Sequence, residues 1–215
     1  MISVLLLGCL SLLVFWFHAS STEQVYFFSA REDNLYENPA NWSPAYPGTH
    51  IREEEKIVLR GMVYITDYKL NIAGSMDLGL GSTLYALAGD VQIGATGQLT
   101  NRGELMVNRL INEGKINNSA SGKIDVMEYT ALPGAYTHNG PEAAFITAGN
   151  LHNQGVFNNY NLCKVRGKLI NEAVFNMLPG SRLLLRNEAG KWEVIEKELP
   201  SSIQQPTSGI MGLDD

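Results

Sequence analysis

The sequence predicts an all-β protein, a right-handed parallel β-helix (solenoid) with an N-terminal cap. Three observations carry this. The first is a recurring phrase. GNLHNQGVFN begins at Gly149, and GKLINEAVFN begins eighteen residues later at Gly167. Earlier echoes begin at Gly97 (GQLTNRGEL) and Leu110 (LINEGKIN). The second is the shape of the phrase: apolar pairs and triplets too short for helices, separated by Gly or Asn. The third is composition. With 21 Gly and abundant Asn, the chain is poor in helix-forming residues.

A coil of about eighteen residues with short strands cannot bury its inward side chains alone; stacked coils build a continuous core. Gly or Asn between strands is expected to supply the positive φ that turns each corner. Asn101, Asn112, Asn153 and Asn171 hold matching places and are expected to stack as an amide ladder. The step from Asn101 to Asn112 is only eleven residues, so coil length varies or two different corners are involved. An antiparallel sandwich would also show short, regularly spaced strands. The eighteen-residue identity favours the solenoid, and the crossover preference favours its right hand.

Along the chain, residues 1–22 read as a signal peptide. Ile2 to Phe17 is almost wholly apolar, and small residues follow from Ala19. The segment carries no Lys or Arg, and an uncleaved anchor is the alternative. Loss of this segment would remove Cys9 and leave Cys163 alone, most simply as a small buried apolar residue. Residues 23–69 lack the repeat and read as the cap, with Trp42 plugging the open core. Trp42 and Tyr46 are also candidates for an aromatic contact platform. Residues 70–195 form the solenoid, with an insertion at about 127–144 where the phrase breaks. Insertions in repeat proteins fall on one face, often the binding face, which makes Tyr129, Tyr136 and His138 ligand-contact candidates. Residues 196–215, rich in Ser, Gln and Pro, read as a disordered tail.

The net charge of −6 and the absence of a basic tract argue against a nucleic-acid partner. No motif for a zinc site, nucleophile elbow or phosphate loop occurs, so no metal, cofactor or catalytic residue is expected. Asp90, Lys123 and Asp125 could meet on one face if the rungs align, placing two carboxylates across a sugar. Two sequons, at Asn41 and Asn117, would matter in a eukaryotic secretory path. Asn117 lies in an expected rung.

The opening NWSPAYPG from Asn41, the KIVL from Lys56 and the later Asn-x-Gly rungs resemble those of secreted Bacteroidetes-type β-helix proteins. That resemblance implies a pectin-lyase-like architecture in a secreted or cell-surface protein. A weaker likeness, in Asn41–Trp42–Ser43, is to the amnionless ectodomain. The sequence therefore leads to an exported, non-enzymatic module with a structural, adhesive or assembly role. A carbohydrate-binding or polysaccharide-degrading β-helix is the alternative, and a receptor-associated ectodomain the third, which a glycan at Asn41 would support. Expected partners are a surface polysaccharide or another surface protein, with self-association through open solenoid ends.

Overall fold

A computed structural model describes residues 23–66, 68–195 and 203–204. The expected signal segment lies outside them. The described chain is a parallel β-solenoid of about seven turns. α-Helix is absent among the described residues, and Pro39–Asn41 forms one short 3-10 turn.

Each coil begins on a first wall, where Ser75–Leu78, Gln98–Asn101, Lys115–Asn118, Tyr136–Asn139, Val156–Asn159 and Val174–Met177 pair in parallel. It continues in a second sheet built on the long strands Thr83–Ile93, Glu104–Asn112 and Lys123–Ala131. Those strands alternate buried and outward side chains, except at mid-length, where two exposed residues follow one another. Consecutive outward side chains crease a strand, since flat pleating would point one of them inward. The crease divides this sheet into a second and a third wall. In later coils it becomes a break, as between Ala144–Thr147 and Leu151–Asn153.

Coil length is uneven because register is held by side chains, not by a fixed count. On the first wall Asn101, Asn118, Asn139 and Asn159 lie in one column at steps of 17, 21 and 20 residues. The Nδ2 of each of the first three donates to the Oδ1 of the next Asn at 2.8 Å, and that of Asn159 ends the ladder 3.7 Å from Met177 Sδ. Each also reaches a backbone carbonyl of the following coil, as Asn139 does to Leu162 at 2.9 Å. All four are fully buried. Asn112, Asn153 and Asn171 belong to a different column on the third wall. The four expected ladder residues therefore divide between two corners, and the eleven-residue step is the distance between those corners.

The third-wall column is interrupted by Ala131, which lies between Asn112 and Asn153. Asn112 Nδ2 instead donates to the Thr137 hydroxyl at 3.1 Å and the Tyr129 hydroxyl at 3.3 Å. Tyr129 stands in a column of Leu110 and Leu151, and Thr137 in a column of Ile116 and Phe157. The large residue and its two small companions exchange volume, which a close-packed interior demands. Beyond them Phe157 and Phe175 stack with centroids 4.7 Å apart.

This packing corrects the expected insertion at 127–144. Lys123–Ala131 and Tyr136–Asn139 are ordinary rung strands with alternating burial. Pro133-Gly134 turns one corner, with Gly134 at φ +89°. The repeat phrase fails there because Tyr129, Ala131 and Thr137 replace its usual residues, not because the coil is interrupted.

The corner glycines also differ from expectation. Gly103, Gly114 and Gly155 of the Asn-x-Gly phrases do not adopt positive φ. They are glycines because the coil beneath is too close. A Cβ on Gly114 would sit 2.3 Å from both the Gly94 and Gly97 carbonyl oxygens. The Asn of each phrase holds the turn, as where Asn112 Oδ1 accepts from Gly114 N at 3.0 Å.

The solenoid starts earlier than residue 70. Gln24–Phe28 and Glu55–Leu59 are already first-wall strands, in parallel register with one another and with Ser75–Leu78. What closes the N-terminal end is the segment between them. Trp42 packs edge-on against Phe28 and Tyr36, and its Nε1 donates to the Tyr36 carbonyl at 2.6 Å. At the other end, Trp192–Ile195 and Ile203–Gln204 pair antiparallel to the last second- and third-wall strands. The expected tail thus contains a paired segment.

Glu55 is buried in the N-terminal turn and accepts from Arg52 N at 2.8 Å, Arg52 Nε at 3.0 Å and the Tyr26 hydroxyl at 3.2 Å. Burial pushes its carboxyl up, but the Arg52 and Tyr26 hydrogen bonds outweigh it and hold the group below the usual carboxylate range. A depressed folded value stabilises above the unfolded value of about 4.3 and is lost as pH falls through the folded one. Glu55→Gln should therefore cost about 1–2 kcal/mol at pH 7, discounted for the exposed Arg52. The difference from wild type should shrink below about pH 4. Urea melts of both proteins between pH 3 and 7 measure it.

Candidate contact surface

Of the five contact candidates, two come together in the open. Tyr136 and His138 occupy the outward positions of Tyr136–Asn139, because Thr137 and Asn139 between and after them face the core. Tyr136 is 40% exposed. In the column of His138, Asn117 lies on one side and Asn158 on the other. Asn158 Nδ2 donates to the Tyr136 hydroxyl at 3.0 Å, and Asn176 Nδ2 donates to Asn158 Oδ1 at 2.7 Å. Tyr160, at the adjoining corner, packs its ring 4.7 Å from that of His138. Beside them runs an open groove of about 400 Å³, lined by Gln98, Thr100, Lys115 and Asn117 together with Tyr136 and His138.

The other three candidates are placed differently. Tyr129 is 1% exposed and belongs to the core. Burial pushes its phenol up to about 12, with Thr137 and Asn112 hydrogen bonds opposing the rise. Its hydroxyl serves the Asn112–Thr137 network, so no ligand reaches it. Trp42 is buried beneath the N-terminal segment and offers no platform. Tyr46 is half-buried, its ring 5.9 Å from Tyr36. Both act in closing the solenoid end.

The sequence reading missed Asn117, Asn158, Tyr160 and Asn176 as surface partners. Strand parity was the available signal. Ile116 and Phe157 face the core, so Asn117 and Asn158 must face outward and Asn118 and Asn159 inward.

A larger groove, of about 600 Å³, follows the crease between the second and third walls. Lys69, Asp90, Arg109 and Glu128 line it in alternating sign. Arg109 bonds Asp90 through both Nη2 and Nε, the latter at 3.1 Å. The proposed meeting of Asp90 with Lys123 and Asp125 does not occur. Asp125 lies in the column of Tyr85 and Met106, whereas Asp90 lies beside Arg109 at the crease. Lys123 Nζ is instead held 2.7 Å from Glu104 and 3.4 Å from Asp125. Each of these carboxylates is thus engaged with a cation, and they do not face one another across a cleft. Among the described residues, no group of three His, Cys, Asp or Glu side chains could hold a metal ion.

The two sequons differ sharply. Asn41 is 1% exposed, and its Nδ2 donates to the Asp33 side chain at 2.8 Å and the Leu35 carbonyl at 3.0 Å. A glycan there is incompatible with this packing, which removes the support Asn41 was expected to give the ectodomain reading. Asn117 is exposed on the first wall.

Cys163 is fully buried between Phe145 and Leu183 in its column. Burial pushes its thiol well up, so it is neither nucleophile nor metal ligand in the native state. With a chain beginning at Glu23, a disulfide reagent should label no thiol in buffer and one thiol in denaturant. Rapid native labelling would contradict this placement.

These observations define a parallel β-solenoid whose first wall is polar and bears aromatic side chains. No family model, curated protein or solved structure matches the chain.

Proposed function

We propose that the chain is an exported, non-enzymatic β-solenoid that serves as a surface structural or adhesive module, with the first wall as its contact face. The observation that carries this is the continuous outward strip of Asn117, Tyr136, His138, Asn158, Tyr160 and Asn176. A wall of stacked strands holds such side chains in fixed positions without loop ordering, which lowers the cost of binding. The finer likeness, to surface β-helix proteins of Bacteroidetes type, rests on the Asn41–Gly48 opening and the Asn-x-Gly rungs. Export rests on the apolar residues 2–17.

The test uses the chain from Glu23 to Asp215 on an array of glycans, surface polymers and surface proteins, with product release assayed in parallel. Binding lost in the Tyr136→Ala/His138→Ala double variant, with its melting curve retained, supports the contact face. Binding unaffected by that variant overturns it, and product release overturns the non-enzymatic reading.

A further inference from the structure

We infer that the partner of the first wall is a neutral, hydroxyl-rich polysaccharide lying along the solenoid axis. This deepens the contact-face proposal and rests on it.

Thr100, Asn117, His138, Asn158 and Asn176 occupy one outward column. Thr and Asn side chains both donate and accept hydrogen bonds, and the imidazole of His138 adds further polar ring nitrogens to the row. Sugar hydroxyls likewise donate and accept, so such a row suits them along its whole length. An acidic polymer needs cations instead. In the neighbouring column from Gln98 to Val174, Lys115 is the one charged residue.

Spacing adds a second argument. Adjacent strands lie about 4.8 Å apart, so five successive residues span about 19 Å along the axis. A periodic row of this length fits an extended repeating chain better than a compact small molecule. Tyr136 and Tyr160, 40% and 37% exposed, supply ring surfaces beside the row. An aromatic ring with a polar tip suits a sugar, which has an apolar ring face and a hydroxylated edge.

Order adds a third. The Asn176–Asn158–Tyr136 hydrogen bonds and the His138–Tyr160 ring contact fix these rotamers before any ligand arrives. Less side-chain freedom is then lost on binding. The crease groove lacks this character, because its Asp90 and Arg109 already satisfy one another.

The experiment is isothermal titration of the Glu23–Asp215 chain with length series of neutral gluco-, manno- and xylo-oligosaccharides. Polygalacturonate and heparin serve as acidic probes. One neutral series should bind, with affinity rising until the oligosaccharide covers about 19 Å and levelling off beyond it. Tyr136→Ala and Asn158→Ala should each weaken binding about tenfold. Tyr136→Phe, which keeps the ring, should weaken it less, and Thr130→Ala on the third wall should leave it unchanged. Circular dichroism melts confirm that each variant is folded. Binding of an acidic probe alone overturns the neutral-ligand inference, while its loss in Tyr136→Ala would keep the contact face. Binding of neither class also overturns the inference; the double variant on the full array then decides the contact face separately.

Discussion

Replacing Asn139 by Asp is expected to destabilise the protein by about 4 kcal/mol at pH 7, among the largest single effects in the chain. Asn139 is fully buried. Its Nδ2 donates to Asn159 Oδ1 and to the Leu162 carbonyl, while its Oδ1 accepts from Asn118 Nδ2. Asp keeps the acceptor and loses both donors. A carboxylate oxygen would face two acceptor oxygens in a fully buried site, and a charge would be buried without a cation. Proton uptake relieves part of this, so the substituted carboxyl should titrate above its unfolded value of about 3.9. With a raised folded value, the relief is present below the unfolded value and lost as pH rises through the folded one. Urea melts should therefore show the variant closest to wild type near pH 3 and furthest from it at pH 7. Asn139→Ala lacks the titrating group. It should cost about 3 kcal/mol with no such pH dependence, by leaving the Asn159 and Leu162 oxygens without donors. Equal pH profiles for the two variants would contradict a ladder of amides at this position.

How much of the ladder was legible follows from the chemistry of its two corners. At the third-wall corner, Asn112 and Asn153 are each followed two residues later by Gly, because the side chain caps a turn whose Gly lies against the coil beneath. That pair of requirements leaves a visible phrase. At the other corner only Asn101 carries it. Asn118, Asn139 and Asn159 precede Ser, Gly and Tyr, so the longest buried ladder has no constant neighbour. Asn117/Asn118 and Asn158/Asn159 are also doublets, in which composition cannot say which amide is inside. The parity set by Ile116 and Phe157 can.

The contact surface was legible to the same degree. Tyr136 and His138 are two apart and so share a face. Tyr129 lies in the same aromatic-rich stretch, but it faces inward because Ala131 and Thr137 vacate room for its ring. That compensation lies across two walls and becomes visible only in the stacked coils. The same holds for Trp42, whose indole closes the solenoid end by packing on residues six and fourteen positions earlier.

Gly114→Ala is expected to cost about 3–5 kcal/mol and to broaden the unfolding transition or prevent folding altogether. The argument turns on which of two reasons makes a corner residue glycine. At Gly134 the reason is conformational: φ is +89° and nothing lies within 4 Å of an added Cβ. An L-residue there bears a backbone penalty of about 1–2 kcal/mol and no clash, so Gly134→Ala should show that smaller loss. At Gly114 the added Cβ would lie 2.3 Å from two carbonyl oxygens, Gly94 and Gly97, both backbone atoms of the coil beneath. No side-chain rotation can relieve that contact. The coils would have to separate, breaking the hydrogen bonds from Lys115 N to Gly97 O and from Glu113 N to Ile93 O on either side. Thermal melts of the two alanine variants beside wild type measure the difference directly. A Gly114→Ala protein as stable as Gly134→Ala would mean that neighbouring coils yield independently. The larger loss would mean that each corner is clamped by the coil it rests on, as the amide columns on either side require.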